Sequence, residues 1–159
     1  DKEVHALCNS YYWKYPIVRY FLDLGQTIPV YVEESVKSKS KNKKSFNKAL
    51  HYIKKKEIIV IFPEGKRGDG NKLNKAYNGI AKLAISSMAP VLPVGIVDAH
   101  KVLPKGKLVP RFKRAEIRFG KPMKFEKFYN KKINDKTLNQ VTREIMEQIG
   151  KLIGQKYNY

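Results

Sequence analysis

The apolar positions of this chain fall into short runs whose period switches between that of a strand and that of a helix. Residues 4–7 alternate weakly and predict a short strand. Pro16 opens the run Ile17, Val18, Tyr20, Phe21, Leu22 and Leu24, which predicts a short helix stopped by Gly25. Residues 27–32 are β-rich and predict a strand, and Pro29 places it at a sheet edge or a strand end. Over residues 40–56, Phe46, Ala49, Leu50 and Ile53 recur at helical spacing, giving a helix with one apolar stripe and a basic outer face. Residues 58–62 are nearly all apolar, as for a strand covered on both faces. Ile80, Ala81, Leu83, Ala84 and Met88 mark a further amphipathic helix, and residues 91–97 a further buried strand. Residues 115–119 alternate and end at Gly120. From residue 135 to 157 a helix carries Leu138, Val141, Ile145, Ile149, Leu152 and Ile153 on one face, with Asp135 as its N-cap.

Strands alternating with helices make an α/β architecture, a mostly parallel mixed sheet flanked by helices. No internal repeat or linker interrupts the chain, so a single domain over residues 1–159 is expected. That length suffices to bury a real core. Apolar residues make up 42% and come in clusters, which excludes a disordered chain. No apolar run reaches bilayer-spanning length. The opening DKEVHALCNS lacks the basic segment and apolar stretch of a signal peptide. Cys8 is the only cysteine, which excludes a disulfide framework and a thiolate cluster and predicts a small core residue; no metal site is expected.

Charge changes the picture more. The formal net charge is +19, and much of it lies in residues 37–56. Such a surface attracts polyanions, whether nucleic acid, anionic lipid headgroups or phosphorylated ligands. The plain alternative is a solvated helix face.

The segment FPEGKRGDG, residues 62–70, follows a predicted strand and holds little that could build a core. Its glycines allow positive φ or close approach to a ligand. Lys66 and Arg67 suit a phosphate, Lys as a point charge and Arg as a bidentate fork. Glu64 can accept from a ligand hydroxyl or hold Arg67 in orientation. The competing reading is a strained surface turn with an internal Glu–Arg pair. The P-loop pattern is absent. In open α/β sheets ligands collect at the carboxyl ends of strands, where this loop would begin.

FPEGKRG resembles the F-P-E-G-T-R-S motif of the glycerolipid acyltransferases, the family of lysophosphatidate and glycerol-3-phosphate acyltransferases. Downstream, NKAYNGIAKLAISSMAPVLPVGI is similar to that family's helix leading into a V-P-V-V-P-V strand, matching at Gly79, Leu83, Ala84, Pro90, Val91, Pro93 and Val94. LGQTIPVYVEE resembles its G-x-I-P-V-D-R segment, and RFGKPMKF its later strand and G-x-P turn. The order and spacing agree over roughly residues 3–128. The resemblance implies a glycerol-3-phosphate acyltransferase-like fold and transfer of an acyl chain from an acyl-CoA or acyl-carrier-protein thioester to a glycerol hydroxyl of lysophosphatidate or a related acceptor. The substrate-binding residues it implies are Glu64, Gly65, Lys66 and Arg67, holding the acceptor's phosphate and glycerol backbone. No cofactor beyond the thioester co-substrate is implied. The expected setting is peripheral, on the cytoplasmic face of an anionic membrane, in phospholipid synthesis.

The family's general base is a histidine in an N-H-x-x-x-x-D motif, which can take the proton of a weakly nucleophilic alcohol while the carboxylate fixes the tautomer. Here Ser10, Lys56 and Lys105 stand five residues beyond His5, His51 and His100. None of these histidines is assigned catalysis. His5 is expected in a strand, His51 on a helix surface and His100 in a loop. The motif would fall just before Asp1, so the chain is expected to be truncated at its N-terminus, and it starts without Met. Tyr31 and Val32 stand where the family usually has Asp-Arg, and Lys66 and Gly68 replace Thr and Ser. Two other readings remain: a basic α/β module that binds nucleic acid, with Tyr11, Tyr12, Trp13 and Tyr15 available to stack on bases, and an inactive acyltransferase relative. Nucleic acid is the disfavoured partner, because the aromatics lie apart from the lysine run and no nucleic-acid motif appears.

Overall fold

A computed structural model describes residues 2–32, 35–104, 109 and 111–159. It divides into two compact units, Asp1–Gly65 and Lys66–Tyr159. The first holds a three-stranded parallel sheet in the order β2-β1-β3, with β1 at Val4–Asn9, β2 at Ile28–Val30 and β3 at Ile58–Val60. The expected strands therefore form, and β2 with its Pro29 is an edge strand. The expectation that residues 58–62 are covered on both faces is corrected: β3 is also an edge strand, and Ile58 and Val60 are exposed.

Between β1 and β2 the chain makes a 3₁₀ turn at Ser10–Lys14 and then helix α1, Pro16–Leu24. Pro at its first position costs no hydrogen bond. Gly25 does not supply the left-handed residue that ends α1; its φ is −78°. Gln26 does, at φ 47°, while the Gln26 and Thr27 amides close back on Asp23 and Leu22 in a Schellman arrangement. Helix α2, Val36–Lys54, starts a turn before the predicted helix because the Ser35 hydroxyl caps the Ser38 amide at 3.1 Å.

Helix α2 keeps the expected apolar stripe, with Ala49 buried and Phe46, Leu50 and Ile53 half-buried, and adds polar residues to it. Its buried residues are Ser38, Ser45 and Ala49, so small side chains bring the helix close. Asn42 donates to the Tyr31 carbonyl at 2.7 Å and accepts from the Tyr31 amide at 2.9 Å. Ser45 donates to the Pro29 carbonyl. These polar groups satisfy backbone at and beyond the β2 edge that would otherwise lie open to pairing. Cys8 is half-buried in β1, and burial pushes its thiol up.

In the second unit, β4 (Val94–Val97) and β5 (Glu116–Phe119) pair antiparallel, which makes the strand set mixed. Helix α3, Gly79–Ser87, and helix α5, Asp135–Ile153, enclose the core of Ala81, Ala84, Ile85, Phe125, Val141 and Ile145. Met88 is not part of the α3 stripe: it ends the helix in the left-handed region and is exposed. Asn134, not Asp135, caps α5, accepting from the Thr137 amide at 2.9 Å. Asp135 instead occupies the first turn, where a negative charge meets the positive helix end. Arg118 grips Glu116 through two hydrogen bonds and also donates to the Leu152 carbonyl near the end of α5, holding the Glu116 carboxyl below its ordinary range. His100 lies in the short helix α4, Ala99–Val102, rather than in a loop.

Candidate functional site

In the order β2-β1-β3, β1 sits centrally and continues to β2 on one side, while β3 on its other side continues into residues 62–70. The carboxyl ends of β1 and β3 therefore flank a topological switch point, the place where open parallel sheets receive ligands. The motif loop begins there, as expected. Its first turn is built locally. Pro63 sets the second position, and the Gly65 amide donates to the Phe62 carbonyl at 3.0 Å. Gly65 then adopts φ 63°, a conformation that costs a side-chain-bearing residue about 1–2 kcal/mol. Glu64 is half-buried.

Beyond Gly65, the loop lies in the second unit and is fixed from three sides. The Asp69 carboxylate accepts from the Asn71 amide at 2.9 Å, and this bond holds its pKa below the ordinary carboxylate range. Gln155, just past α5, donates to the Gly70 carbonyl at 2.8 Å. Gly70 takes φ 85°, and a Cβ there would lie 2.1 Å from His100 Nδ1. Gly68 has neither a positive φ nor a close neighbour, so the geometry does not demand glycine there. Lys66 and Arg67 are exposed and enter no ion pair among the described residues. Two cations thus stand on a loop whose ends are anchored but whose charges are unspent.

His100 also lines a concavity of about 600 Å³ with Asp98, Lys101, Arg111, Lys113 and Arg114. Asp98 is engaged by Lys101 at 2.9 Å, so the remaining lining is cationic. Sequence reading missed this basin, because its residues come from two separate stretches. The Gly70–His100 contact joins it to the motif loop.

His5, the histidine placed in a strand, is 1% exposed. Its Nε2 meets Glu57 at 2.8 Å and its ring stacks on Tyr52 at 3.7 Å, with an interplanar angle of 8°. Glu3, His5 and Glu57 bring three donor atoms within 4.8 Å of one another. A metal on Nε2 would move the ring proton to Nδ1, which is buried with no acceptor among the described residues. The arrangement fits an imidazole that donates Nε2–H to Glu57. His5 thereby locks β1 to the chain entering β3. His51 lies on the exposed side of α2.

The acyltransferase family model matches residues 1–97. Two curated relatives are similar. A 1-acyl-sn-glycerol-3-phosphate acyltransferase of Cocos nucifera is 27% identical over 82 residues, 52% of this chain and 27% of that protein. A probable 1-acyl-sn-glycerol-3-phosphate acyltransferase of Mycoplasma pneumoniae is 23% identical over 114 residues, 71% of this chain and 42% of that protein. The crystal structure of the 1-acyl-sn-glycerophosphate (LPA) acyltransferase PlsC from Thermotoga maritima superposes with a TM-score of 0.62 at 17% identity, covering 99% of this chain and 59% of its own. The chain thus spans less than two thirds of each of these proteins, and the fold it shares with PlsC is the expected α/β one. With more than half of its length matched by the family model, the chain belongs to the acyltransferase family.

Proposed function

We propose that this chain is the acceptor-binding part of an enzyme that moves a fatty acyl group from a thioester of coenzyme A or acyl-carrier protein to the free glycerol hydroxyl of lysophosphatidate. The observation that carries this reading is the motif segment after β3, in which Lys66 and Arg67 are exposed and enter no ion pair among the described residues. Arg67 takes the acceptor phosphate as a bidentate fork and Lys66 adds a point charge. Glu64 and the Gly65 backbone meet the glycerol hydroxyls. The names of both curated relatives support this acceptor.

In the reaction the acceptor hydroxyl loses its proton to a general base as its oxygen attacks the thioester carbonyl. The carrier thiolate then leaves and is protonated. The residues described here bind and orient the acceptor, which converts an encounter of two partners into a positioned reaction. The buried Nε2 of His5 is committed to Glu57 and is not assigned as the base.

No helix among the described residues is long and apolar enough to cross a membrane. A peripheral position on the cytoplasmic face suits a lipid acceptor. The exposed lysines of α2, at 37, 39, 41, 43, 44, 48 and 54, supply attraction to an anionic leaflet of about 1 kcal/mol for each that reaches it.

The test is thiol release from acyl-CoA in the presence of lysophosphatidate, comparing residues 1–159 with a chain extended upstream to include a histidine-aspartate pair. Transfer by the extended chain and none by residues 1–159 is expected. Silence from both would replace the enzyme with an inactive relative. Transfer by residues 1–159 alone would place the base within them, and His5 would be the first to substitute.

A further inference from the structure

Helix α1 turns a row of large apolar side chains to solvent. Ile17, Tyr20, Phe21 and Leu24 recur at the spacing of one helix face, and they are 76%, 66%, 64% and 69% exposed. No residue of α1 is buried. Asp23 accepts from Trp13 Nε1 at 2.9 Å and from Arg19 Nε at 3.3 Å, which links the helix to the preceding turn, while Leu22 is its one half-buried residue and the face of Ile17, Tyr20, Phe21 and Leu24 is bare. A nine-residue helix has little stability of its own, so leaving four large apolar side chains in water is hard to account for without an occupant.

Three features on the page identify the occupant. Six aromatic residues fall within residues 11–21, and Tyr11, Tyr12 and Tyr15 continue the exposed surface from the preceding turn. Tyrosine and tryptophan favour the boundary between lipid chains and water, where the ring is buried and its polar atom stays wet. Lys14 lies over the Tyr11 ring at 5.1 Å, so a cation borders the patch. The chain as a whole carries +19, which complements an anionic bilayer.

We infer that α1 is the membrane-inserting element, lying in the plane of an anionic lipid surface with Ile17, Tyr20, Phe21 and Leu24 sunk among the acyl chains. This rests on the lipid-acceptor reading above and assigns the surface that the lysines of α2 alone do not define. Those lysines steer the approach, and α1 provides the hydrophobic hold.

Trp13 is the only tryptophan and is hydrogen-bonded to α1, so its fluorescence reports on this element alone. The chain is mixed with vesicles of phosphatidylcholine alone or with added phosphatidic acid, and with the same lipids brominated on their acyl chains. The expected result is a blue shift on the anionic vesicles, quenching by the brominated lipid, and vesicle partitioning reduced at least about tenfold by Phe21→Ser with Leu24→Ser. Circular dichroism of the double variant should match the parent, because both side chains are exposed. Sedimentation with anionic vesicles while Trp13 emission stays fixed and the double variant binds equally would overturn the role of α1 and leave the membrane reading standing. Absence of any vesicle binding would remove both. A Trp13 shift that grows with protein concentration without lipid would make a second copy of the chain the occupant and overturn the proposal.

Discussion

Gly70 and His100 are in such close contact that no side chain fits between them: a Cβ on Gly70 would lie 2.1 Å from His100 Nδ1. Gly70→Ala therefore meets two penalties, about 1–2 kcal/mol for its left-handed backbone and about 1–3 kcal/mol for the displaced imidazole. Combining it with His100→Ala should recover the second part and not the first. Chemical denaturation of the four variants in a double-mutant cycle checks this. A Gly70→Ala protein as stable as the parent would disprove the contact.

Asn42→Ala removes both bonds to the Tyr31 backbone at once. The better helix propensity of alanine offsets only part of the loss. A net destabilisation of about 1–2 kcal/mol is expected. Amide exchange at Tyr31 should accelerate, and unchanged protection there would show that α2 does not hold the edge.

His5→Phe keeps an aromatic ring against Tyr52 but leaves the Glu57 carboxylate without its donor. The expected cost is about 1–3 kcal/mol. Adding Glu57→Leu should return part of it, since an unpaired half-buried carboxylate is the costly element. Thermal unfolding of the two variants decides, and a second substitution that adds further loss would contradict this account of the pair.

Asp69 has a lower pKa in the folded loop than in the unfolded chain, because the Asn71 amide donates to its ionised form. The stabilisation is thus complete above the ordinary aspartate range and disappears as pH falls through the lowered value. The carboxyl carbon resonance of Asp69 should titrate below that range. A midpoint at the ordinary aspartate value would mean that the turn is not held in solution.

Local chemistry made much of the fold legible. Pro16 and the apolar spacing after it located α1, and β-branched runs located the strands. Elements set by distant partners were not legible. Hydrophobic periodicity found Phe46, Ala49, Leu50 and Ile53 of α2, of which Ala49 is buried and the rest half-buried, but it could not show the polar part of the docking face, Ser38, Asn42 and Ser45. The apolar run at β3 reads like a strand covered on both faces, but Ile58 and Val60 share one face and are exposed there, which no local pattern records. In the candidate site, the glycine spacing and the two cations Lys66 and Arg67 were legible as a motif. Which glycine is obligatory was not, because Gly70 answers to His100, thirty positions on. The pairing of His5 with Glu57, 52 residues apart, was hidden for the same reason.

The most direct test of the acceptor assignment is calorimetric binding of a short-chain, water-soluble lysophosphatidate to residues 1–159, beside the matching monoacylglycerol that lacks the phosphate. A charge-assisted bidentate contact is worth about 2–3 kcal/mol, so Arg67→Ala should weaken lysophosphatidate binding by about 30- to 150-fold. The same substitution should leave the monoacylglycerol unchanged. Because Arg67 is exposed and unpaired among the described residues, the variant should fold as the parent does. Equal affinity for the two ligands, or lysophosphatidate binding that ignores Arg67→Ala, would contradict the claim that the motif loop holds the acceptor phosphate.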